Sequence, residues 1–230
     1  MGRDMDIRRK LKNLLYEQVE RLAKGVASAK RLELIELLCQ SPKAVETLAE
    51  EAGISMKLAS AHLRELRLVH LVEAERDGRN VIYRIACAEV AGVLVRLRGL
   101  AEQRSHEMQD MLRRLEALAA PKIEIDYPRL RRQARAGTLM LLDVRPADEY
   151  RAGHLPRALS FPLAELPRRL DELPRERMLV VYCRGPFSFL ADEATRLLVD
   201  AGFNAYQWCT GAADWLAAED SLPQPIRGDT

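Results

Sequence analysis

The stretch VVYCRGPFSF, residues 180–189, carries residue types and spacing suited to covalent chemistry. Two valines and a tyrosine run into Cys183; Arg184, Gly185 and Pro186 follow, and a helix-like run, FLADEATRLL, begins at Phe189. A thiol between the C-terminal end of a strand and the start of a helix faces unpaired backbone N–H groups and the positive end of the helix dipole. Both stabilise an anion, so they lower a thiol pKa and hold a charged persulfide. Arg184 would add a cation, and Gly185 lets the backbone curl around the sulfur. A structural cysteine needs none of this and sits more often inside a strand than at its mouth. A phosphate loop of the type cysteine, five residues, arginine is rejected, because the sixth residue after Cys183 is Phe189. Cys209, next to Trp208 in an apolar run, is expected to pack.

The elements that must hold Cys183 lie in the second half. LMLLDV and MLVVYC are short apolar runs of buried-strand type, and LADEATRLLVDAGF is an amphipathic helix between MLVVYC and NAYQWC. This alternation predicts a parallel α/β sheet with its ligand site beyond the strand ends. The first 120 residues have a helical rhythm instead. AKRLELIELLCQ sets Leu32, Ile35 and Leu38/Cys39 on one face, Ser41-Pro42 ends it, and VETLAEEAGIS is a short helix stopped at Gly53. Ser55 caps a third helix. Asp77-Gly78 lies between two strand-like runs holding Val72, Val81, Ile82 and Tyr83, a hairpin signal. One long helix is expected from Glu89 to Leu118, with a narrow seam of Val93, Leu97, Leu100, Met108, Met111, Leu115 and Leu118 that suits a partner helix. Pro121 closes it. Two domains follow, 1–120 and 121–230, as the 230-residue length also suggests.

Composition excludes several classes. No run approaches 18 apolar residues, so no transmembrane helix is expected. The charged, amphipathic start MGRDMDIRRKLKNLL is no secretory signal, and Asp6 stands where a myristoylation site needs Ser or Thr. Four cysteines without a CxxC pair fit reduced thiols in a cytoplasm and neither a disulfide scaffold nor a zinc site. The first 120 residues hold 21 basic and 18 acidic side chains, the remainder 15 and 16. A basic surface therefore belongs to the first half and is local.

Wound at 100° per residue, the Ser55-capped helix sets Ala59, Leu63 and Leu66 on one side and Lys57, Ser60, Ala61 and Arg64 on the other, with His62 toward the packed side. Small residues permit close approach to a groove, and the cations reach phosphates and guanine edges. Arg76 and Arg79 at the hairpin tip and Arg84 near its base would touch an adjacent backbone. One such helix alone would be an ordinary solvated face; the helices with the basic hairpin make a winged helix-turn-helix.

ISMKLASAHLRELRLVHLVEAERDGRNVIYRIA resembles the recognition helix and wing of the ArsR family of bacterial regulators, carried by Ser60–His62–Leu63 and Asp77-Gly78-Arg79. The resemblance spans residues 18–118 and implies a homodimer through the terminal helices on a palindromic double-stranded operator. Metal-sensing members carry a Cys-x-Cys pair in the helix before the recognition helix, where this chain has VETLAEEAG, or Asp/His clusters in the last helix, where His106, Glu107 and Asp110 read as a solvated face. No metal or other cofactor is expected. Relatives that sense sulfur or oxidation pair an early cysteine with one on the last helix; here Cys39 and Cys87 are the candidates, against the simpler reading of buried small hydrophobes.

LLDVRPADEYRAGHLPRAL resembles the first signature of rhodanese domains. VVYCRGPFSFLADEATRLLVDAGF resembles their strand, active loop and helix, and CTGAADW stands where a Gly-Gly turn and Trp are usual. The resemblance covers residues 122–222 and implies a sulfurtransferase in which Cys183 takes sulfur from a sulfane-sulfur donor and hands it to a thiol acceptor. Asp143 and Arg145 would support the loop, and the N–H groups from Arg184 to Ser188 would cradle the sulfur. Pro186 and Ser188 stand where glycine and arginine are common, so thiosulfate suits this loop less than a neutral or thiol-bound donor. A second cysteine at Ser188, found in some relatives with the same two domains, is absent. The expectation is a mainly α winged helix-turn-helix followed by an α/β rhodanese-like parallel sheet. Three functions compete: a cytoplasmic, dimeric regulator coupling sulfur to DNA binding; an enzyme that uses the winged helix to dimerise; and a regulator with an inactive sensing module.

Overall fold

The computed structural model describes residues 2–211, 213 and 214; Trp215 of the expected CTGAADW turn lies outside them. The chain divides into two compact units, residues 1–38 with 42–90, and residues 39–41 with 91–230.

The first unit comprises α1 (Gly2–Val26), α2 (Ala29–Leu38), β1 (Lys43–Ala44), α3 (Val45–Glu51), α4 (Met56–Leu68), β2 (Val72–Asp77) and β3 (Asn80–Ile85). The strands pair antiparallel in the order β1-β3-β2. Ser55 caps α4 as expected, its Oγ accepting from the Leu58 N–H at 3.3 Å. Ala59, Leu63 and Leu66 are fully buried against Leu34, Ile35 and Leu48, so the sequence period sets which face of α4 is free. The hairpin differs by one residue from the expected turn: Asp77 pairs with Asn80, and Gly78 and Arg79 are the central residues. Gly78 takes φ 58°, which the first central position of a tight hairpin needs and glycine adopts without strain.

The expected long helix is two: α5 (Ala88–Arg104) and α6 (His106–Leu118). Ser105 takes extended geometry (φ −95°, ψ 114°) and accepts from the Met108 N–H at 3.1 Å. A side chain that satisfies a free helix N–H makes a new helix start as good as a continuation.

The second unit continues with α7 (Tyr127–Ala136), β4 (Leu139–Asp143), α8 (Ala147–Ala152), β5 (Ala158–Ser160), β6 (Met178–Tyr182), α9 (Leu190–Asp200) and β7 (Ala205–Gln207). The strands form a parallel sheet in the order β5-β4-β6-β7. Leu142, Leu179 and Val181 pack with Ala194 and Leu198 of α9 on one face. Leu141, Val180 and Tyr182 pack with Tyr127 and Leu130 of α7 on the other. Strands buried on both sides read as unbroken apolar runs, which is how they stand in the sequence.

Candidate functional site

Cys183 directly follows β6 and precedes α9, with its side chain almost wholly buried (3% exposed). Its thiol meets acceptors rather than the expected donors. Sγ lies 3.8 Å from the Gly185 carbonyl and 3.6 Å from that of Ser188, while the Ser188 N–H donates to the Gly185 carbonyl instead. Pro186 has no N–H to offer. These contacts suit a protonated thiol; a thiolate or persulfide here requires the peptides of residues 185–188 to turn. The Ser188 carbonyl faces the sulfur, and Ser188 also lines the cavity beside it.

The Arg184 guanidinium is engaged by a carboxylate. Its Nε and one terminal nitrogen grip Glu149 of α8 at 3.0 and 2.6 Å, and Glu149 is fully buried. A buried carboxylate demands a partner, so this pairing outcompetes the expected role as a free cation and makes Arg184 an anchor for the loop. No local pattern in the sequence marks Glu149 as a site residue, since it stands with Asp148 in the acidic first turn of a helix.

Asp143, the last residue of β4, and Arg145, two residues on, are both fully buried. Arg145 Nε and a terminal nitrogen reach Asp143 at 3.0 and 2.6 Å, and the same terminal nitrogen reaches the Gly153 carbonyl at 2.7 Å. Tyr182 donates to Asp143 at 2.7 Å and accepts from the Leu155 N–H at 3.2 Å. The network ties the ends of β4 and β6, whose last residues Asp143 and Tyr182 are paired. Burial works to lower the Arg145 pKa, yet the hydrogen bond and charge of Asp143 carry it above the ordinary arginine value. Burial, followed by the Asp143 charge, pushes the Tyr182 phenol well up, so Tyr182 acts as a donor.

The return chain after β7 touches the loop from the other side. A Cβ on Gly211 would lie 1.7 Å from the Arg184 carbonyl oxygen and 2.6 Å from the Gly185 nitrogen. The two backbones are therefore in direct contact. Gly211→Ala is expected to displace the loop, destabilise the unit by about 1–3 kcal/mol and expose Cys183, measured as a lower melting temperature with faster alkylation of that residue.

A cavity of about 280 Å³ opens beside Cys183. Leu112 and Leu115 of α6, Phe189, Asp192 and Trp208 are among its walls. So is Cys209, which is exposed and does not pack as expected. Loss of hydration among its neighbours raises the Cys209 pKa, Lys122 opposes this, and Cys183, Glu116 and Asp192 add to it.

In the first unit Lys57 and Arg64 are exposed on α4, with Ser60 and Ala61 half-buried between them and His62 half-buried. Arg76 and Arg79 are exposed at the hairpin tip. Among the described residues these four cations form no ion pair with a carboxylate. Arg84 differs: it reaches Glu73 at 2.7 Å and Glu75 at 3.5 Å, the cross-strand register placing Glu73 directly opposite. Cys39 is buried just past the last residue of α2, while Cys87 is exposed between β3 and α5. A hydrogen bond to the Glu89 carboxylate raises the Cys87 pKa, which disfavours its thiolate.

Fold and site define a winged helix-turn-helix joined to a rhodanese-like sheet. The profile described as "Bacterial regulatory protein, arsR family" matches residues 28–74, and that of the rhodanese-like domain matches residues 127–218. The HTH-type transcriptional regulator Rv0324 of Mycobacterium tuberculosis is 38% identical over 207 residues, 90% of this chain and 91% of that protein. The chain belongs to the arsR family of bacterial regulatory proteins: it is a DNA-binding regulator fused to a rhodanese-like domain. A sulfurtransferase of Allochromatium vinosum is 39% identical over 62 residues, 26% of this chain and 58% of that protein. The solution structure of the homodimeric winged helix-turn-helix DNA-binding domain Mb0332 from Mycobacterium bovis is 36% identical, with a TM-score of 0.39 over 42% of this chain and 89% of that one.

Proposed function

We propose that this regulator loads sulfane sulfur on Cys183 and that loading changes its hold on a double-stranded operator. The observation that carries the proposal is the position of Cys183 between the end of a central parallel strand and a helix N-terminus, open to a cavity. In the reaction the Cys183 thiolate attacks the outer sulfur of a persulfide donor. The new S–S bond forms as the donor's breaks, and the donor departs as a thiolate. A thiol acceptor later reverses the step. Arg184, Asp143, Arg145, Gly185 and Ser188 shape the loop; Lys57, Ser60, Ala61, Arg64, Arg76 and Arg79 contact DNA, and Arg84 does so only by leaving Glu73. Residues 1–120 serve DNA binding and dimerisation, and residues 121–230 serve sulfur chemistry.

Dimerisation is supported by exposed apolar residues on α1 (Ile7, Leu11, Leu15, Val19) and along the seam (Leu100, Met111). Coupling is supported within the second unit, where Arg98 of α5 lies 5.8 Å from the ring of Phe187 in the loop and α6 lines the cavity. A turn of the loop upon loading would thus press on both helices that carry the seam. A relay into the first half would use Cys39 or Cys87; an inducer response that survives replacement of both removes that version. Four free thiols fit a cytoplasmic setting.

The test is operator binding by the full-length protein, with and without loading by a persulfide donor, across a salt series. Loading is expected to shift the affinity, and an unchanged affinity would sink the coupling. Arg79→Ala is expected to weaken binding to all sequences alike and to reduce the slope of log affinity against log salt by about 1. Carbonyls facing the sulfur and the pairing of Arg184 with Glu149 favour a second reading, an inactive sensing module. Failure to trap a persulfide on Cys183 with any donor would favour it.

A further inference from the structure

We propose that Cys209 is the resolving thiol of Cys183: after loading, Cys209 attacks the inner sulfur of the Cys183 persulfide and closes an intramolecular disulfide. The inference rests on persulfide formation at Cys183.

The sheet register brings the two cysteine-bearing segments side by side. β6 and β7 run parallel with Leu179 opposite Ala205, Val180 opposite Tyr206 and Val181 opposite Gln207. The Trp208 N–H still donates to the Val181 carbonyl at 2.8 Å. Cys183 stands two residues past the last pair on one chain, and Cys209 two residues past it on the other. Two residues later the chains touch again, where Gly211 meets Arg184 and Gly185. The segments holding the two cysteines are therefore held together on both sides. A disulfide needs its Cα atoms roughly 4.4–6.8 Å apart, a separation that two chain segments held in contact on both sides can reach. Both residues line the same cavity, and Cys209 is open to solvent.

The chemistry balances without an outside oxidant. The bond that forms joins the Cys209 sulfur to the inner sulfur of Cys183. The bond that breaks is the one between the inner and outer sulfurs, and the outer sulfur leaves with that electron pair as hydrosulfide, which takes up the proton given up by Cys209. The sulfane sulfur is reduced to sulfide, and the two cysteine sulfurs are oxidised. The raised Cys209 pKa limits its thiolate at neutral pH, so closure is expected to speed up as pH rises. Lys122, Glu116, Asp192 and Cys183 are the groups that set this response.

The test treats the full-length protein, reduced and kept under argon, with one equivalent of glutathione persulfide. It follows intact mass, a non-reducing peptide map and released sulfide. The parent is expected to end about 2 Da lighter than the reduced chain, with Cys183 and Cys209 peptides linked and sulfide released; Cys209→Ser is expected to stay about 32 Da heavier, the mass of one sulfur, held on Cys183. If parent and Cys209→Ser both keep the added sulfur on Cys183, resolution by Cys209 is overturned while persulfide loading stands. Sulfur recovered as a persulfide on Cys209 also overturns it, in favour of transfer. If Cys209→Ser takes up no sulfur while its circular dichroism matches the parent, loading itself is refuted, and resolution with it.

Discussion

Arg145→Ala lowers the unfolding free energy of the rhodanese-like domain by about 3–5 kcal/mol, the range for removing one partner of a buried ion pair. The guanidinium is fully buried and is held by Asp143 and by the Gly153 carbonyl. Without it the buried Asp143 carboxylate loses its cationic partner, with the Tyr182 hydroxyl and the backbone N–H of residue 145 still donating to it. Adding Asp143→Asn removes that charge and is expected to recover part of the loss, because coupled neighbours are not additive. Denaturant unfolding followed by tryptophan fluorescence reports this domain selectively, since both tryptophans, Trp208 and Trp215, lie in it. A loss below about 1 kcal/mol, the range of exposed pairs, would mean that the pair is screened by water.

Under the proposed function, Cys183→Ser is expected to abolish sulfur loading, with the adduct falling to the background of the other thiols. The substitution changes one atom, and the serine hydroxyl can turn its single proton toward one of the two carbonyls near the sulfur, so the fold is expected to be retained. Loss of loading at an unchanged melting temperature is the expected pair of results. Loading that persists at the parent level would move the carrier to another cysteine and leave Cys183 as a packing residue. Glu149→Gln separates positioning from chemistry: with Arg184 less firmly held, it is expected to slow loading of Cys183 while leaving the attachment site unchanged.

Much of this architecture was legible because it depends on short-range patterns. Ser55 before an amphipathic run marks its helix, and Ala59, Leu63 and Leu66 mark its buried face. The apolar runs at 139–143 and 178–182 announce strands covered on both sides. Where the reading fell short, contacts distant in sequence decide. Glu149 and Arg184 stand 35 residues apart, and no local pattern says that this arginine will pair with a buried carboxylate. Cys209 beside Trp208 suggests a packing residue, and only the parallel pairing of β6 with β7 brings its segment to the cavity that Cys183 also lines. Ser105 is a residue type that caps helices, yet the apolar seam continues across it; a helix break needs no gap in hydrophobic periodicity.

The bare backbone at Gly211 has an evolutionary consequence. It presses on Arg184 and Gly185, so that end of the loop tolerates little variation. Phe187 and Phe189, at the other end, show 41% and 63% of their surface and bear no comparable constraint. Under the proposed function, exchanging these two rings is expected to change which donors reach Cys183 while the cysteine keeps its place. Descendants of one ancestor can diverge in diet without rebuilding the domain.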